Sequence, residues 1–208
     1  MRKGNIVLLV IDVQKDFCPG GSLAINDGDA VVPVVNHIAA KSDRVIATQD
    51  WHPYDHVSFA GNHPGKNLYD IVEVGGIKQM LWPAHCVQGT DGAAFHPALS
   101  TENFSLILRK GMHSRIDSYS AFQENDKKTS TGLEGYLRGL RIEHLYLCGL
   151  ATDYCVFYSA MDAVRLGFRA SIVIDACRGV DAPKGNIEKS LKEMKKHGIA
   201  LLNSSELT

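Results

Sequence analysis

Six short runs of mostly aliphatic residues recur along the chain, and stretches with helical periodicity lie between them. The runs are Ile6–Ile11, Arg44–Thr48, Phe104–Leu108, His144–Cys148, Ala170–Ile174 and Ile199–Leu201. Runs of this length and composition are typical of strands that are buried on both faces. The helical patterns cover about Ala30–Lys41, Leu133–Leu140, Tyr154–Leu166 and Asn186–His197. Gly167 and Gly198 follow the last two patterns and suit helix C-caps.

The alternation of strands and helices predicts right-handed βαβ crossovers and a parallel sheet. We expect an α/β fold of three layers, α/β/α, in which a mainly parallel sheet of six strands carries helices on both faces. The chain has 208 residues and shows no repeat or linker, so residues 1–208 are expected to form a single domain. Two segments, Trp51–Asn103 and Gly111–Thr131, are too long for tight connections, and long loops in compact domains are often functional.

Composition limits the classes of partner. Hydrophobic residues make up 45% and charged residues 22%, which is a globular balance. The formal net charge of -1 argues against nucleic acid and anionic membrane surfaces as partners. No apolar run has the length of a transmembrane helix, and Met1–Asn5 lead straight into a strand, so we expect a cytoplasmic protein. Apolar residues in the loops favour a homo-oligomer.

The five cysteines are Cys18, Cys86, Cys148, Cys155 and Cys177. Their number is odd and no pair has CxxC spacing, which argues against a disulfide framework and against a structural zinc site. Most of these thiols should therefore be small buried hydrophobes, and one of them is a candidate nucleophile.

Reactive side chains follow directly after four of the predicted strands. Asp12 follows the first strand, Asp50 and His52 the second, Lys110 the third, and Cys155 the fourth. Because a parallel sheet binds ligands at the carboxyl ends of its strands, these groups are expected to converge on one edge.

Cys155 falls in the first turn of a predicted helix, where free N–H groups and the helix dipole favour a thiolate and could hold an oxyanion. Asp12 could accept the thiol proton, and Lys110 could hold both charges. Taken singly, a buried cysteine, a turn aspartate and a solvated lysine are the more common interpretations. Together, the three residues favour a nucleophilic site.

Asp50 and His52 have the spacing of two metal ligands on one side of an extended chain. His85, His56 or His63 could supply a third ligand, and this donor set suits zinc, manganese or iron. Polar loop histidines are the alternative, since the chain has nine histidines.

Four aromatic residues lie near these groups in the sequence: Phe17, Trp51, Trp82 and Tyr119. They could form the walls of a pocket for a flat ring, or they could simply anchor the core and the loops.

These motifs together resemble the nicotinamidases of the isochorismatase-like cysteine hydrolase family. The matching segments are Asp12–Leu23, Thr48–Pro53, His56–Phe59, Trp82–Thr90, Arg109–Gly111, Asp117–Phe122, Gly149–Cys155 and Asp175–Val180. They run in order over most of the chain. Gly61–Leu81 is the least matched segment, and it could alter the lid, the substrate entrance or the third metal ligand.

The resemblance implies a role for each matched position. The catalytic triad of the family falls on Asp12, Lys110 and Cys155. The metal ligands fall on Asp50, His52 and His85, with His56 as a weaker candidate. The ring-stacking positions match Phe17, Trp82 and Tyr119. Backbone N–H groups of Ala151 and Cys155 match the oxyanion hole, beside a cis peptide bond at Leu150–Ala151.

The resemblance also implies an activity. The family hydrolyses nicotinamide to nicotinate and ammonia through a cysteine thioester, in NAD salvage, and related enzymes act on pyrazinamide. One divalent metal is expected, zinc first and manganese or iron as alternatives. An amidase for an N-carbamoyl or ureido substrate is the nearest rival, but such relatives generally lack the metal motif. A non-catalytic binding protein would have no use for a thiol nucleophile, and isochorismatase-type enzymes typically lack the cysteine.

Overall fold

The computed structural model describes residues 4–207. The strands are β1 (Ile6–Ile11), β2 (Val45–Asp50), β3 (Ile71–Val74), β4 (Ile77–Met80), β5 (Phe104–Lys110), β6 (His144–Leu150), β7 (Arg169–Arg178) and β8 (Ala200–Leu202). The α-helices are α1 (Val31–Ala39), α2 (Leu133–Gly139), α3 (Phe157–Arg165) and α4 (Asn186–Lys196).

Six strands form one sheet in the order β5-β2-β1-β6-β7-β8, and every neighbouring pair is parallel. Helix α1 packs on β6 and β7, whereas α3 packs on β7 and on α4. Helices therefore cover both faces of the sheet, and the predicted three-layer α/β/α fold is confirmed. The chain moves outward from β1 to β2 and β5, then returns to β6 and moves outward again. This topology places the switch point between β1 and β6, where open α/β sheets bind their ligands.

The predicted strands all exist, and four of them run further than their apolar residues indicate. β2 continues through Thr48 and Gln49 to Asp50 because these polar residues pair with the end of β5, where Asp50 lies opposite Lys110. The same ladder carries both charged side chains into the buried edge of the sheet. Backbone pairing thus extends a strand past the point where its hydrophobic pattern stops.

The hairpin formed by β3 and β4 lies in the segment that was expected to be a long loop. The two strands pair antiparallel with each other, outside the main sheet. Gly75 and Gly76 connect them with positive φ angles of 59° and 80°, which suits a tight hairpin turn. Its residues are mostly exposed or half-buried, so the segment lacks the apolar run that indicates a core strand.

Gly149 brings β6 unusually close to β1 at the switch point. Its φ is 111°, and a Cβ at this position would lie 2.1 Å from the Ile11 carbonyl oxygen. Only glycine fits such an approach. The close contact holds the residue that follows β1, Asp12, beside the turn that follows β6.

Among residues 4–207, no helix combines the length and the apolar character that crossing a bilayer requires.

Candidate active site

Four of the predicted site residues lie together at the carboxyl edge of the sheet. Asp12, Asp50 and Lys110 follow or end three adjacent strands, and Cys155 lies in the turn after β6. All four side chains are buried, with relative exposures of 0% for Asp12, 4% for Asp50, 2% for Lys110 and 6% for Cys155. Charged groups are this deeply buried only when they are paired.

Lys110 is the cation that pairs them. Its Nζ lies 2.9 Å from Asp12 Oδ2 and 2.5 Å from Asp50 Oδ1. It also donates to the Ser118 carbonyl oxygen at 2.9 Å and to Cys155 Sγ at 3.5 Å. Burial disfavours the ammonium, but the two carboxylates raise the pKa of Lys110 well above its ordinary value. Lys110 is therefore a fixed positive charge between the two acids and the thiol.

Thr48 orients the Asp12 carboxylate. The hydroxyl group of Thr48 donates to Asp12 Oδ1 at 2.6 Å and accepts the Asp12 backbone N–H at 3.2 Å. This arrangement leaves Oδ2 on the side of Lys110. Burial raises the pKa of Asp12, although Lys110 opposes the shift. A carboxylate whose pKa lies above its ordinary value is a better proton acceptor at neutral pH.

Cys155 belongs to a π-helical turn, Thr152–Val156, that precedes α3. The helix predicted from Tyr154 onward thus begins with a wider turn, a feature often found at functional sites. Burial raises the pKa of the Cys155 thiol well above its ordinary value, and Lys110 only partly offsets the effect. One oxygen each of Asp12 and Asp50 lies within 4.8 Å of Cys155 Sγ.

The Leu150–Ala151 peptide bond before this turn is cis, in agreement with the resemblance. The Ala151 carbonyl accepts the N–H groups of Tyr154 and Val156, both at 3.1 Å. These two donors are therefore directed away from the thiol. The N–H groups of Ala151 and Cys155 stay the candidate oxyanion donors.

Asp50, His52 and His85 form a compact group of potential metal ligands, each offering an atom within 4.8 Å of the others. His52 Nδ1 donates to the Gly111 carbonyl and His85 Nδ1 to the Pro83 carbonyl, each at 2.8 Å. A histidine that donates through Nδ1 offers a metal the lone pair of Nε2 when the ring is neutral. Burial disfavours the charged ring of His52, but Asp50 raises its pKa above the ordinary value, so a metal would displace a proton from His52.

Electrostatics in this group also suit a cation. Burial would raise the pKa of Asp50, but Lys110 and His52 hold it well below its ordinary range. Burial and the neighbouring His52 lower the pKa of His85 to about 4, so its ring is neutral at physiological pH. One carboxylate and two imidazoles with free Nε2 atoms fit zinc, manganese or iron.

The two other candidate histidines are less available. His56 stacks on His52, and its two ring nitrogens lie 2.7 Å from Ser58 Oγ and 3.3 Å from the Ile116 carbonyl. It forms a second group of potential ligands with His52 and Asp117. His63 Nε2 donates to the Val57 carbonyl at 2.7 Å, and His63 belongs to no group of ligands among the described residues.

Beside these groups lies a cavity. Its lining includes the three predicted ring-stacking residues, the metal-ligand group and the thiol: Phe17, Trp82, Tyr119, Asp50, His52, His85, Ala151 and Cys155. Trp82 Nε1 donates to Tyr119 Oη at 3.0 Å, which links two of the aromatic walls. The cavity suits a flat ring with one polar end toward the histidines and a reactive carbon near Cys155.

Some residues of the site lay outside the sequence predictions. The Thr48 hydroxyl group donates to the Asp12 carboxylate. The side chain of Gln14 accepts the backbone N–H of Asp50 and donates to its backbone carbonyl, both at 2.8 Å. Asp117 and Tyr154 line the cavity. Thr48, Gln14 and Asp117 fall inside motifs that the resemblance covers, but their side-chain partners depend on the fold and could not be read from spacing.

Comparison with known proteins agrees with this geometry. The model of the Isochorismatase domain matches residues 7–206. The chain is 45% identical to the nicotinamidase of Acinetobacter baylyi over 206 residues, covering 99% of this chain and 96% of that protein. A solved structure of a nicotinamidase/pyrazinamidase from Acinetobacter baumanii superposes with a TM-score of 0.98, at 46% identity over 100% of both chains. The pyrazinamidase of Pyrococcus horikoshii, solved in complex with zinc, superposes with a TM-score of 0.79. It is 34% identical, and the match covers 96% of this chain and 99% of that one.

The fold and the site define a hydrolase with a three-layer α/β/α fold and a buried thiol. The chain belongs to the isochorismatase family.

Proposed function

We propose that this chain is a nicotinamidase, an amidohydrolase that converts nicotinamide to nicotinate and ammonia and also acts on pyrazinamide. One observation carries the proposal: Lys110 contacts Asp12, Asp50 and Cys155. Asp50 also belongs to the group of potential metal ligands that lines the cavity beside the thiol. The similarity to nicotinamidases over nearly the whole chain supports the same conclusion.

The buried acid, base and thiol have the arrangement that amide hydrolysis requires. Asp12 takes the proton of the Cys155 thiol, and the resulting thiolate attacks the carboxamide carbon while Lys110 stabilises the developing charge. The backbone N–H groups of Ala151 and Cys155 hold the oxyanion. Asp12 then gives its proton to the departing nitrogen, which leaves as ammonia, and a thioester remains on Cys155.

Hydrolysis of the thioester uses the same residues. Asp12 accepts a proton from water, the hydroxide adds to the thioester carbonyl, and the Cys155 thiolate leaves as the carboxylic acid forms. The acid then loses its proton to solvent and becomes the carboxylate. The proton on Asp12 returns to the sulfur, so the site is restored. Each proton that Asp12 accepts is given back within the cycle, and Lys110 keeps its charge throughout.

We propose zinc as the metal, held by Asp50, His52 and His85, with manganese and iron as alternatives. When bound there, zinc would coordinate the pyridine nitrogen of the substrate and orient the ring. Phe17, Trp82 and Tyr119 would enclose the ring and exclude water from the thiol. The zinc complex of the Pyrococcus horikoshii relative supports the choice of metal.

The cellular context of this activity is also a proposal. Five free buried cysteines suit a reducing compartment, which supports a cytoplasmic enzyme of NAD salvage whose partner is a small molecule. A homo-oligomer is supported by the exposed side chains of Leu68, Tyr69 and Ile71, which have relative exposures of 48%, 48% and 63%.

Ammonia release from nicotinamide tests the proposal. Wild-type protein should release ammonia, and Cys155→Ala should abolish turnover while bound metal, quantified on the same sample, stays unchanged. Cys148→Ala is the matched control because Cys148 is equally buried but packs inside β6, and it should retain activity.

Two results would contradict the scheme. Turnover by Cys155→Ala would exclude the thioester route. Failure of metal-loaded wild-type protein to release ammonia from nicotinamide, together with release from an N-carbamoyl or ureido compound, would assign the rival amidase activity.

A further inference from the structure

Gln79 is the buried residue of an otherwise accessible hairpin. Among the residues of β3 and β4, all of which the structure describes, Gln79 alone is buried, with a relative exposure of 2%. It lies in Gly61–Leu81, the segment that matched the family least. A buried amide needs partners for its N–H and C=O groups, so the hairpin must place it against specific acceptors.

Those acceptors belong to the wall of the cavity. Gln79 Nε2 donates to Asp117 Oδ2 at 2.9 Å and to the Met80 carbonyl at 2.7 Å, and it lies 3.2 Å from Tyr119 Oη. Reversing the amide would turn its oxygen toward a carboxylate and a carbonyl, so the network fixes its orientation. Hydrogen bonds to a charged acceptor are stronger than neutral ones, which makes the bond to Asp117 the main anchor.

The segment Asp117–Tyr119 is held at both ends. Asp117 Oδ1 accepts the Ser118 N–H at 2.8 Å, and the Ser118 carbonyl accepts Lys110 Nζ at 2.9 Å. Tyr119 Oη also accepts the indole N–H of Trp82 at 3.0 Å. Gln79 on one side and Lys110 on the other thus fix the segment Asp117–Tyr119. This segment sets the distance between two aromatic walls of the cavity, Tyr119 and Trp82.

We propose that Gln79 is a positioning residue that determines the affinity of the cavity for planar six-membered heteroaromatic amides, acting through Asp117 and Tyr119. The inference rests on the proposed nicotinamidase function. Gln79 does not line the cavity, so it acts on the substrate through these two residues. Its contribution should therefore appear in substrate binding and leave the chemical step at Cys155 nearly unchanged.

Gln79→Met tests the inference because methionine keeps the length of the side chain and removes both N–H donors. The KM for nicotinamide should rise about tenfold, while kcat stays within about threefold of the wild-type value. Lys78→Met is the matched control, since Lys78 is an exposed neighbour on β4, and its KM should equal that of the wild type. Thermal unfolding of each variant reports whether the hairpin still folds.

A second measurement does not depend on turnover. In a Cys155→Ala, Trp51→Phe background, nicotinamide binding is followed by the fluorescence of Trp82, and Gln79→Met should weaken binding by the same factor as it raises KM. When Tyr119→Phe has already removed the hydroxyl, the added Gln79→Met change should have a smaller effect, because the two residues share a contact.

The outcomes separate this inference from the proposed function. Wild-type protein that neither binds nor hydrolyses nicotinamide would overturn both. Normal wild-type turnover with an unchanged KM in Gln79→Met, or with a loss confined to kcat and thermal stability, would overturn the positioning role alone.

Discussion

The hydrogen bonds of His85 and His63 distinguish a candidate metal ligand from a loop histidine. His85 presents a free Nε2 to Asp50 and His52, because its Nδ1 donates to the Pro83 carbonyl. His63 is bound through Nε2 to a backbone carbonyl away from that group. The sequence alone allowed either residue to complete the metal site, because both lie in the same long segment. Only the folded path of that segment distinguishes them.

Metal content should therefore respond to one histidine and not to the other. His85→Ala is expected to lower metal affinity by about 10- to 100-fold or more and to raise the KM for nicotinamide, because one of three ligands is lost. His63→Ala is the matched control and should keep its metal. Metal bound after dialysis, measured by atomic emission, checks the prediction. Equal metal content in the two variants would contradict the assignment of His85.

The catalytic positions were the most predictable part of the site at the residue scale. Asp12, Lys110 and Cys155 each follow an apolar run, so the sheet topology alone brings them to one edge. Their roles stay predictions, and Cys155→Ala tests that of the thiol. Thr48 and Gln79 could not be predicted, because a polar residue in a strand gives no sign in the sequence of which side chain it will meet.

At the scale of elements, the π-helical turn that carries Cys155 depends on Asp153. This buried carboxylate accepts the backbone N–H groups of Val180 at 2.9 Å and Asp181 at 3.0 Å, and the side chain of Asn186 at 3.0 Å. It thereby ties the turn to the loop after β7 and to the start of α4. Val180 lines the cavity, so this connection also shapes the site.

Asp153→Ala should destabilise the protein because it leaves half-buried N–H donors without their acceptor. We expect a loss of about 1–3 kcal/mol, which for a chain of this size lowers the Tm by several degrees. Glu188→Ala, at an exposed position of α4, should change the Tm little. Thermal unfolding followed by circular dichroism is the measurement, and an unchanged Tm in Asp153→Ala would refute the role of this carboxylate.

The elements that were predicted correctly are those with a strong apolar period. All six strands of the sheet and all four α-helices of the described residues were predicted, with boundary differences of up to four residues. The β3–β4 hairpin was missed because its residues are largely accessible and show no strict alternation. The π-helical turn was missed because its residues fit an ordinary helix equally well.

For the whole molecule, the parallel sheet and its switch point follow from the order of the elements. The pattern of strands and helices was sufficient to predict the layers and the edge that carries the site. It was not sufficient to predict how the charges at that edge depend on one another, since this requires the register of β2 against β5. That register places Asp50 opposite Lys110, and one ammonium group then contacts both acids and the thiol.

Because Lys110 contacts both Asp50 and the Cys155 thiol, the reactivity of the thiol should depend on whether a metal is bound. A divalent cation at Asp50, His52 and His85 offsets the negative charge of Asp50, so the thiolate form of Cys155 becomes more favourable. Iodoacetamide should then alkylate Cys155 faster in zinc-loaded protein than in chelator-treated protein, with the label located by mass spectrometry. His52→Ala should remove the difference, and equal rates in loaded and chelated wild-type protein would disprove the coupling. The labelling rate of one sulfur atom would thus report how much of an enzyme preparation carries its metal, with no substrate present.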